Sequence, residues 1–431
     1  MLYCSRLAES RYCTANPGPP GPHRAGNSAA AILSLKCPQR RSELDLDERA
    51  RDLILHNYEA TGGSHVAPAP PHYFDPALWD ACFHAEVCAS LSRLFSDEAL
   101  MQLAKNEINQ FLNCQRQDGF IPHTIYHGKT RRLKRGFLRP ITQPPVLAQA
   151  VKAVDDPEWT REVLPAVLRF YLYFRDCRDA DGDSLVSVRQ AYESGRDTSP
   201  EFDLLKGKAA RPLGFVNMAA RLRRLDVEDL VTNCLWIQGL RVLAGLCHEQ
   251  ETRDALARAA DKAEQSMYDL CWDEDHRMFF PLDSHNRKLM IPTIAGLYPL
   301  ILDNIPQMMS DNLLEHLTDP REFWTEYPFP SLPTNSPHFN CHRQYYGCCN
   351  WRGPVWINTN RHIVEGLAKH GYQDVAARVA EANCDMVDRE GFWEYYHPST
   401  GRGMRIRSFA WSTQVVLYPE ILHAGIRTHP T

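Results

Sequence analysis

The chain has 431 residues, 44% hydrophobic and 23% charged, with a net charge of −5. This is the make-up of an ordinary globular protein with ample apolar material for a large core. The slight negative charge gives no electrostatic reason to expect nucleic acid or an anionic membrane as partner. No apolar run approaches the roughly 20 residues of a membrane-spanning helix. The 14 cysteines form no C-x-x-C pair and no zinc-spaced cluster with histidine. Cys82, Cys88, Cys234, Cys247 and Cys384 fall in apolar helical stretches, where cysteine acts as a small hydrophobe. A reduced, cytoplasmic chain is expected, with no metal and no cofactor.

Residues 1–42 read as a disordered leader, with Pro17–Pro22 made only of proline and glycine, several arginines and Glu9 as the single acid. An organellar targeting role is the alternative. From residue 43 to 431 one helical domain is expected. Apolar residues recur at three- and four-residue spacing over Leu44–Tyr58, Leu78–Leu94, Glu98–Arg116, Val146–Val154, Pro157–Cys177 and Val227–Cys247. The same spacing marks Thr252–Cys271, Ile291–Leu302, Met308–Leu317, Pro354–Lys369, Gln373–Arg389 and Ser408–Ile426. Between them lie loops rich in proline, glycine and aromatics. Twelve such helices without alternating strands predict an all-α (α/α)6 toroid, whose long loops build a pocket at one end.

Four loops concentrate polar and aromatic residues. In the first, Trp79 offers a ring for stacking, and Asp80 and His84 share one face of a helix. Asp80 suits gripping hydroxyls or favours the helix dipole; His84 fits a satisfied core histidine. In the second, Gln115 and His123 flank an Asp-Gly turn and could bond hydroxyls, although Gln115 could equally cap helix carbonyls. The third, Tyr192–Pro200, holds two acids, Glu193 and Asp197, around a glycine. Asp197 is a candidate general acid or the N-cap of a helix beginning near Pro200. Upstream, Asp179-Ala180-Asp181-Gly182-Asp183 looks calcium-like. Its glycine is misplaced for an EF-hand, however, and its twelfth position is Gln190, so a tight turn is expected. In the fourth, Trp351 and Arg352 precede Glu394, a carboxylate among rings that suits a base activating one water.

Together these motifs resemble glycoside hydrolase family 63, in particular its mannosylglycerate and glucosylglycerate hydrolases. The resemblance rests on Leu78–His84, Asp118–His123, Glu193–Pro200, Trp351–Trp356 and Glu394–Gly401, in that order, and covers about residues 45–425. It implies an inverting α-glycosidase on an (α/α)6 barrel, with Asp197 as general acid and Glu394 as general base. Trp79, Asp80, Gln115, Trp351 and Arg352 would then hold a small carbohydrate substrate, with His123 a further binding candidate. Asn350 stands where glycerate-releasing members tend to have tyrosine, which puts the leaving-group side of the pocket in question. Arg196, Arg343, Arg405 and Arg407 are the cations available to a carboxylate there. Trehalase-like or oligosaccharide glucosidase activity is the alternative within hydrolases. A sugar epimerase using His84, His123 or His397, or a silent sugar-binding protein, are alternatives outside them.

Overall fold

Each of the twelve apolar-periodic stretches holds a helix in the computed structural model, which describes residues 43–127, 141–205, 224–342 and 349–428. The expected leader, Arg343 and Cys348 lie outside the described residues. The helices are α1 (Glu43–Glu59), α2 (Leu78–Phe95), α3 (Glu98–Leu112), α4 (Leu147–Val154), α5 (Pro157–Arg178) and α6 (Leu230–Leu246). They continue with α7 (Gln250–Cys271), α8 (Gln307–Thr318), α9 (Ile357–Lys369), α10 (Gln373–Glu390) and α11 (Tyr418–Thr428). Two expected helices differ in kind. Ile294–Ile301 is a 3-10 helix with Pro299 inside it, and the last stretch divides into a 3-10 helix, Ala410–Leu417, followed by α11. Proline removes the N–H that an α-helical ladder needs, and the tighter coil is one way to accommodate it.

Burial sorts the elements into two rings. α2 is buried from Leu78 through Ser92, and α6 and the two 3-10 helices are similarly enclosed. α3, α7 and α10 bury one stripe only. A helix apolar on all sides belongs inside and an amphipathic one outside. The inner elements touch in sequence: α2 on α4, α4 on α6, α6 on Ile294–Ile301, that on α9, and α9 on Ala410–Leu417. Ala410–Leu417 packs back on α2, and the ring is closed. The molecule is an (α/α)6 toroid. Contact is close enough at Gly366 of α9 that a Cβ there would meet the Leu300 carbonyl oxygen at 2.6 Å.

Two short hairpins interrupt the helices. β1 (Trp272–Asp273) pairs with β2 (Met278–Phe279), and β3 (Trp393–Tyr396) with β4 (Gly403–Arg407), both antiparallel. The register of β3–β4 shifts between Trp393 and Tyr395, so Glu394 sits at the irregularity. Such a bulge re-aims the side chain it carries.

Candidate active site

A cavity of about 410 Å³ opens at the end of the toroid where the inner elements begin. Its location follows from an unfinished helix start. α3, α5 and α6 are capped by their own sequence, as where Asp156 accepts from Glu158 and Trp159 N–H. α2 begins after Ala77, which has no capping side chain. Its first N–H groups are satisfied from other loops instead: Leu78 donates to the His123 carbonyl (2.9 Å) and Trp79 to Gln143 Oε1 (3.0 Å). Those bonds draw three loops together over the start of α2, and Trp79, Asp80, His123 and Gln143 all line the cavity.

Asp197 reaches the cavity on a turn between two 3-10 helices, Ala191–Ser194 and Pro200–Leu205. The turn is held by two buried arginines and their carboxylate partners. Arg178 donates twice to Glu193 (2.7 Å each), which also accepts the N–H groups of Thr142 and Arg189. Arg196 is enclosed between Glu201 (2.6 Å) and Asp229. Glu193, the rival acid in the sequence, therefore has its oxygens occupied, and Arg196 is committed to carboxylates rather than available to a ligand. Asp197, 5% exposed, accepts the Cys349 thiol at 2.9 Å. Gly195 keeps this turn close to Trp79: its φ is +70°, and a Cβ there would come within 2.4 Å of the indole.

Glu394 enters from β3 and is 1% exposed. The Arg405 guanidinium, from β4, donates to both its carboxylate oxygens and to the Tyr73 hydroxyl, which lies 3.4 Å from Glu394 Oε1. Burial dominates and pushes the Glu394 carboxyl up to about 7, Arg405 and Tyr73 oppose it, and the charge of Asp197 adds to it. Two buried lining atoms have no hydrogen-bond partner: Asp80 Oδ1 and Trp351 Nε1. One accepts and the other donates, which suits hydroxyl groups. Burial, ahead of every other influence, raises the Asp80 carboxyl to about 6 and lowers His123 to about 4, so His123 is neutral at physiological pH. Trp351 stacks on Trp356, with ring centres 3.8 Å apart.

Two expected binding residues stand elsewhere. Gln115 spends its amide on the Gly119 (3.2 Å) and Ala166 (2.8 Å) carbonyls and accepts from Arg169. It ties α3 to α5 and does not line the cavity. Arg352 lies behind the Asp197 turn, donating to the Thr198 carbonyl (2.9 Å) and to Asp203, and is likewise absent from the lining. The sequence reading missed Tyr73, Gln143, Cys349 and Trp411, all of which line it. Only Gln143 carried a local signal, a polar residue ahead of Pro144-Pro145 at a helix start. Of the histidines considered for epimerase chemistry, His84 sits against Glu107 (3.5 Å) and, like His397, is not a lining residue. Arg407 is exposed at the far end of its hairpin, opposite Trp393.

Among the described residues, two groups gather three possible metal ligands each. In the first, Cys341, His342 and His397, the Ser399 N–H donates to His397 Nδ1 (3.2 Å). That leaves the neutral ring's proton on Nε2, facing Cys341 Sγ at 3.3 Å. The pair is a hydrogen bond, and a metal would have to displace that proton. The second group is Asp179, Asp181 and Asp183. It forms the expected turn, with Asp179 accepting the N–H groups of Gly182 (2.8 Å) and Ser184 (3.2 Å). Nearby Glu228 is pushed up to about 9, first by burial and then by these three aspartates. The described cysteines are free thiols, and no described helix is long and apolar enough to cross a membrane.

The model of the mannosylglycerate hydrolase MGH1-like glycoside hydrolase domain matches residues 73–412. Mannosylglycerate hydrolase MGH1 of Selaginella moellendorffii is 26% identical over 445 residues, covering 86% of this chain and 84% of that one. Glucosylglycerate hydrolase of Mycolicibacterium hassiacum is 24% identical over 434 residues, covering 82% and 94%. The crystal structure of the family 63 mannosylglycerate hydrolase from Thermus thermophilus, in complex with Tris and D-glycerate, superposes with a TM-score of 0.74. It is 25% identical and covers 87% of this chain and all of that one.

Proposed function

We propose that this chain, which belongs to the family of mannosylglycerate hydrolase MGH1-like glycoside hydrolases, cleaves a small α-glucoside or α-mannoside with inversion, using Asp197 as general acid and Glu394 as general base. The observation that carries the roles is one cavity lined by both carboxylates, with Asp80 Oδ1 and Trp351 Nε1 unpartnered among its lining atoms. Asp197 gives its proton to the glycosidic oxygen as the bond to the anomeric carbon breaks. Glu394 takes a proton from a water that attacks the opposite face of the sugar. The products are the free sugar of inverted configuration and the aglycone alcohol. Such a pair works with its carboxyls about 6.5–9.5 Å apart, leaving room for the water. Trp79 and Trp351 supply stacking faces, and neutral His123 hydrogen-bonds without adding charge.

Homology to mannosylglycerate and glucosylglycerate hydrolases supports a glycerate aglycone. A second reading, a neutral aglycone, draws on the cavity itself: no lysine or arginine stands among the described lining residues. A reducing, intracellular setting is in keeping with the free thiols.

The test is turnover on glucosylglycerate, mannosylglycerate, trehalose and short α-glucans by the parent, Asp197→Asn and Glu394→Gln. Either variant is expected to lose about 10²–10⁴-fold in kcat with KM little changed, the range that general acid–base work contributes. Proton NMR of the first-formed sugar should show the inverted anomer. Retention of configuration, or full activity in either variant, would overturn the assignment.

A further inference from the structure

We propose that His84 is a positioning residue for the sugar site: with Glu107 behind it, its imidazolium holds Asp80 ionised, ready to accept hydrogen bonds from sugar hydroxyls. The inference rests on reading the cavity as a glycoside site.

Asp80 and His84 stand one turn apart on α2, where side chains four residues apart are neighbours. Glu107 approaches from α3, its Oε2 3.5 Å from His84 Nδ1. Its other oxygen is anchored by the Val66 N–H at 2.9 Å. The three side chains are out of water, at 5%, 1% and 0% exposure for Asp80, His84 and Glu107. No hydrogen bond reaches Asp80 Oδ1, Glu107 Oε2 or either ring nitrogen of His84. A neutral imidazole there would leave two buried carboxylates with no cation, and its own donor and lone pair unmet. The imidazolium offers an N–H on each side of the ring and cuts the buried charge of the three groups from two negatives to one.

The groups packed around α2 supply no substitute for that charge among the described residues. In the loop after α1, His65 has both ring nitrogens engaged, with the Ser64 hydroxyl and the Phe74 carbonyl (2.8 Å each), and burial lowers it. His127, stacked on His65, is exposed. Burial holds the Cys82 and Cys88 thiols of α2 neutral, and Glu86 is paired with Arg361. α1 turns Leu46, Ala50, Ile54 and Asn57 inward, Ala410–Leu417 has no ionisable side chain, and Lys152 of α4 is exposed. Burial raises the Asp80 carboxyl, and His84 is the first influence that opposes it.

The arrangement suits a sugar site. A cation inside the cavity would occupy the carboxylate oxygens that hydroxyls need, and no lysine or arginine stands among the described lining residues. A cation behind the wall keeps Asp80 charged and leaves its Oδ1 bare.

The experiment measures Kd for glucose and for mannose by calorimetry between about pH 5 and 8. The full chain carries Glu394→Gln, which removes the other lining carboxyl that titrates there. In this parent Kd should weaken as pH falls through the Asp80 value of about 6, since protonation takes away an acceptor site. Adding His84→Gln, or the smaller neutral His84→Asn, should move that break up by about one unit or more. Kd is then about fivefold weaker near pH 6 and unchanged near pH 8. Asp80→Asn should bind more weakly, with no break. A strut that merely joined α2 to α3 would cost stability in the His84 variants without moving the break. An unmoved break in those variants, or a break that survives Asp80→Asn, would overturn the role of His84 and leave the hydrolase reading standing. Binding of neither sugar at any pH would overturn that reading, and the proposal with it.

Discussion

Arg405 holds a backbone conformation that side chains usually avoid, with φ +70°, in order to place its guanidinium behind Glu394. Left-handed backbone at a non-glycine residue stores on the order of 1 kcal/mol or more and persists where surrounding contacts impose it. Here the contact is with a carboxylate that burial would otherwise keep protonated. A general base works only when ionised, so with Glu394 in the proposed role kcat/KM should fall as pH drops through its value of about 7. Arg405→Gly removes the opposing charge and relieves the backbone. Its acidic limb should move to higher pH by about one unit or more, and Arg405→Lys should restore part of the shift. A pH profile unchanged in Arg405→Gly would exclude this positioning role. At Gly195 the constraint is steric: Gly195→Ala would drive a methyl group into Trp79 from a backbone that alanine resists. A loss of about 1–3 kcal/mol in denaturant unfolding and a raised KM are expected.

At the scale of elements, the Asp197 turn depends on charges buried with their partners. Glu193→Ala would strand Arg178, which is 2% exposed, and should cost about 3–5 kcal/mol. That loss is measurable as a drop in Cm at unchanged m-value. Much of the element map was legible, because inner and outer helices both repeat apolar residues at helical spacing, and Asp156-Pro157 announces a helix start outright. The 3-10 character of Ile294–Ile301 was not, since a continuous apolar run looks the same in either coil. Gln115 and Arg352 were misread for one physical reason. Polar residues in loops find carbonyls contributed by distant segments, such as Ala166 of α5 or Thr198 of the Asp197 turn, and spacing along the chain does not reveal them. Arg405 beside Glu394 was equally hidden, because the bulge in β3–β4 decides which way Glu394 points. Asp80, Trp79 and Trp351 line the cavity, and they drew notice in the sequence because aromatic and acidic side chains together at a helix start have few purely local uses.

For the molecule as a whole, the ring closes only through its last inner element, Ala410–Leu417, packing on α2. The cavity shares that dependence, since Trp411 lines it and donates to the Glu394 carbonyl at 3.0 Å. A chain ending at Phe409 should therefore expose the inner faces of α2 and α9. It is expected to bind a hydrophobic dye strongly, to melt without a cooperative transition and to turn over no substrate. A truncated chain that melts cooperatively near the parent Tm would show that the ring does not need its last member. Contacts that join residues more than 300 positions apart also imply slow assembly, because loop closure must precede the packing that rewards it.

The parallel indoles of Trp351 and Trp356, 3.8 Å apart and inclined by 5°, have an optical consequence. Two chromophores so placed share their excitation, so this one pair should dominate the near-ultraviolet circular dichroism of a chain with nine tryptophans. Trp351 also faces the cavity with its N–H unengaged. A sugar that accepts that hydrogen bond would shift one partner of the pair and not the other, and the protein would report occupancy of its own pocket without a label.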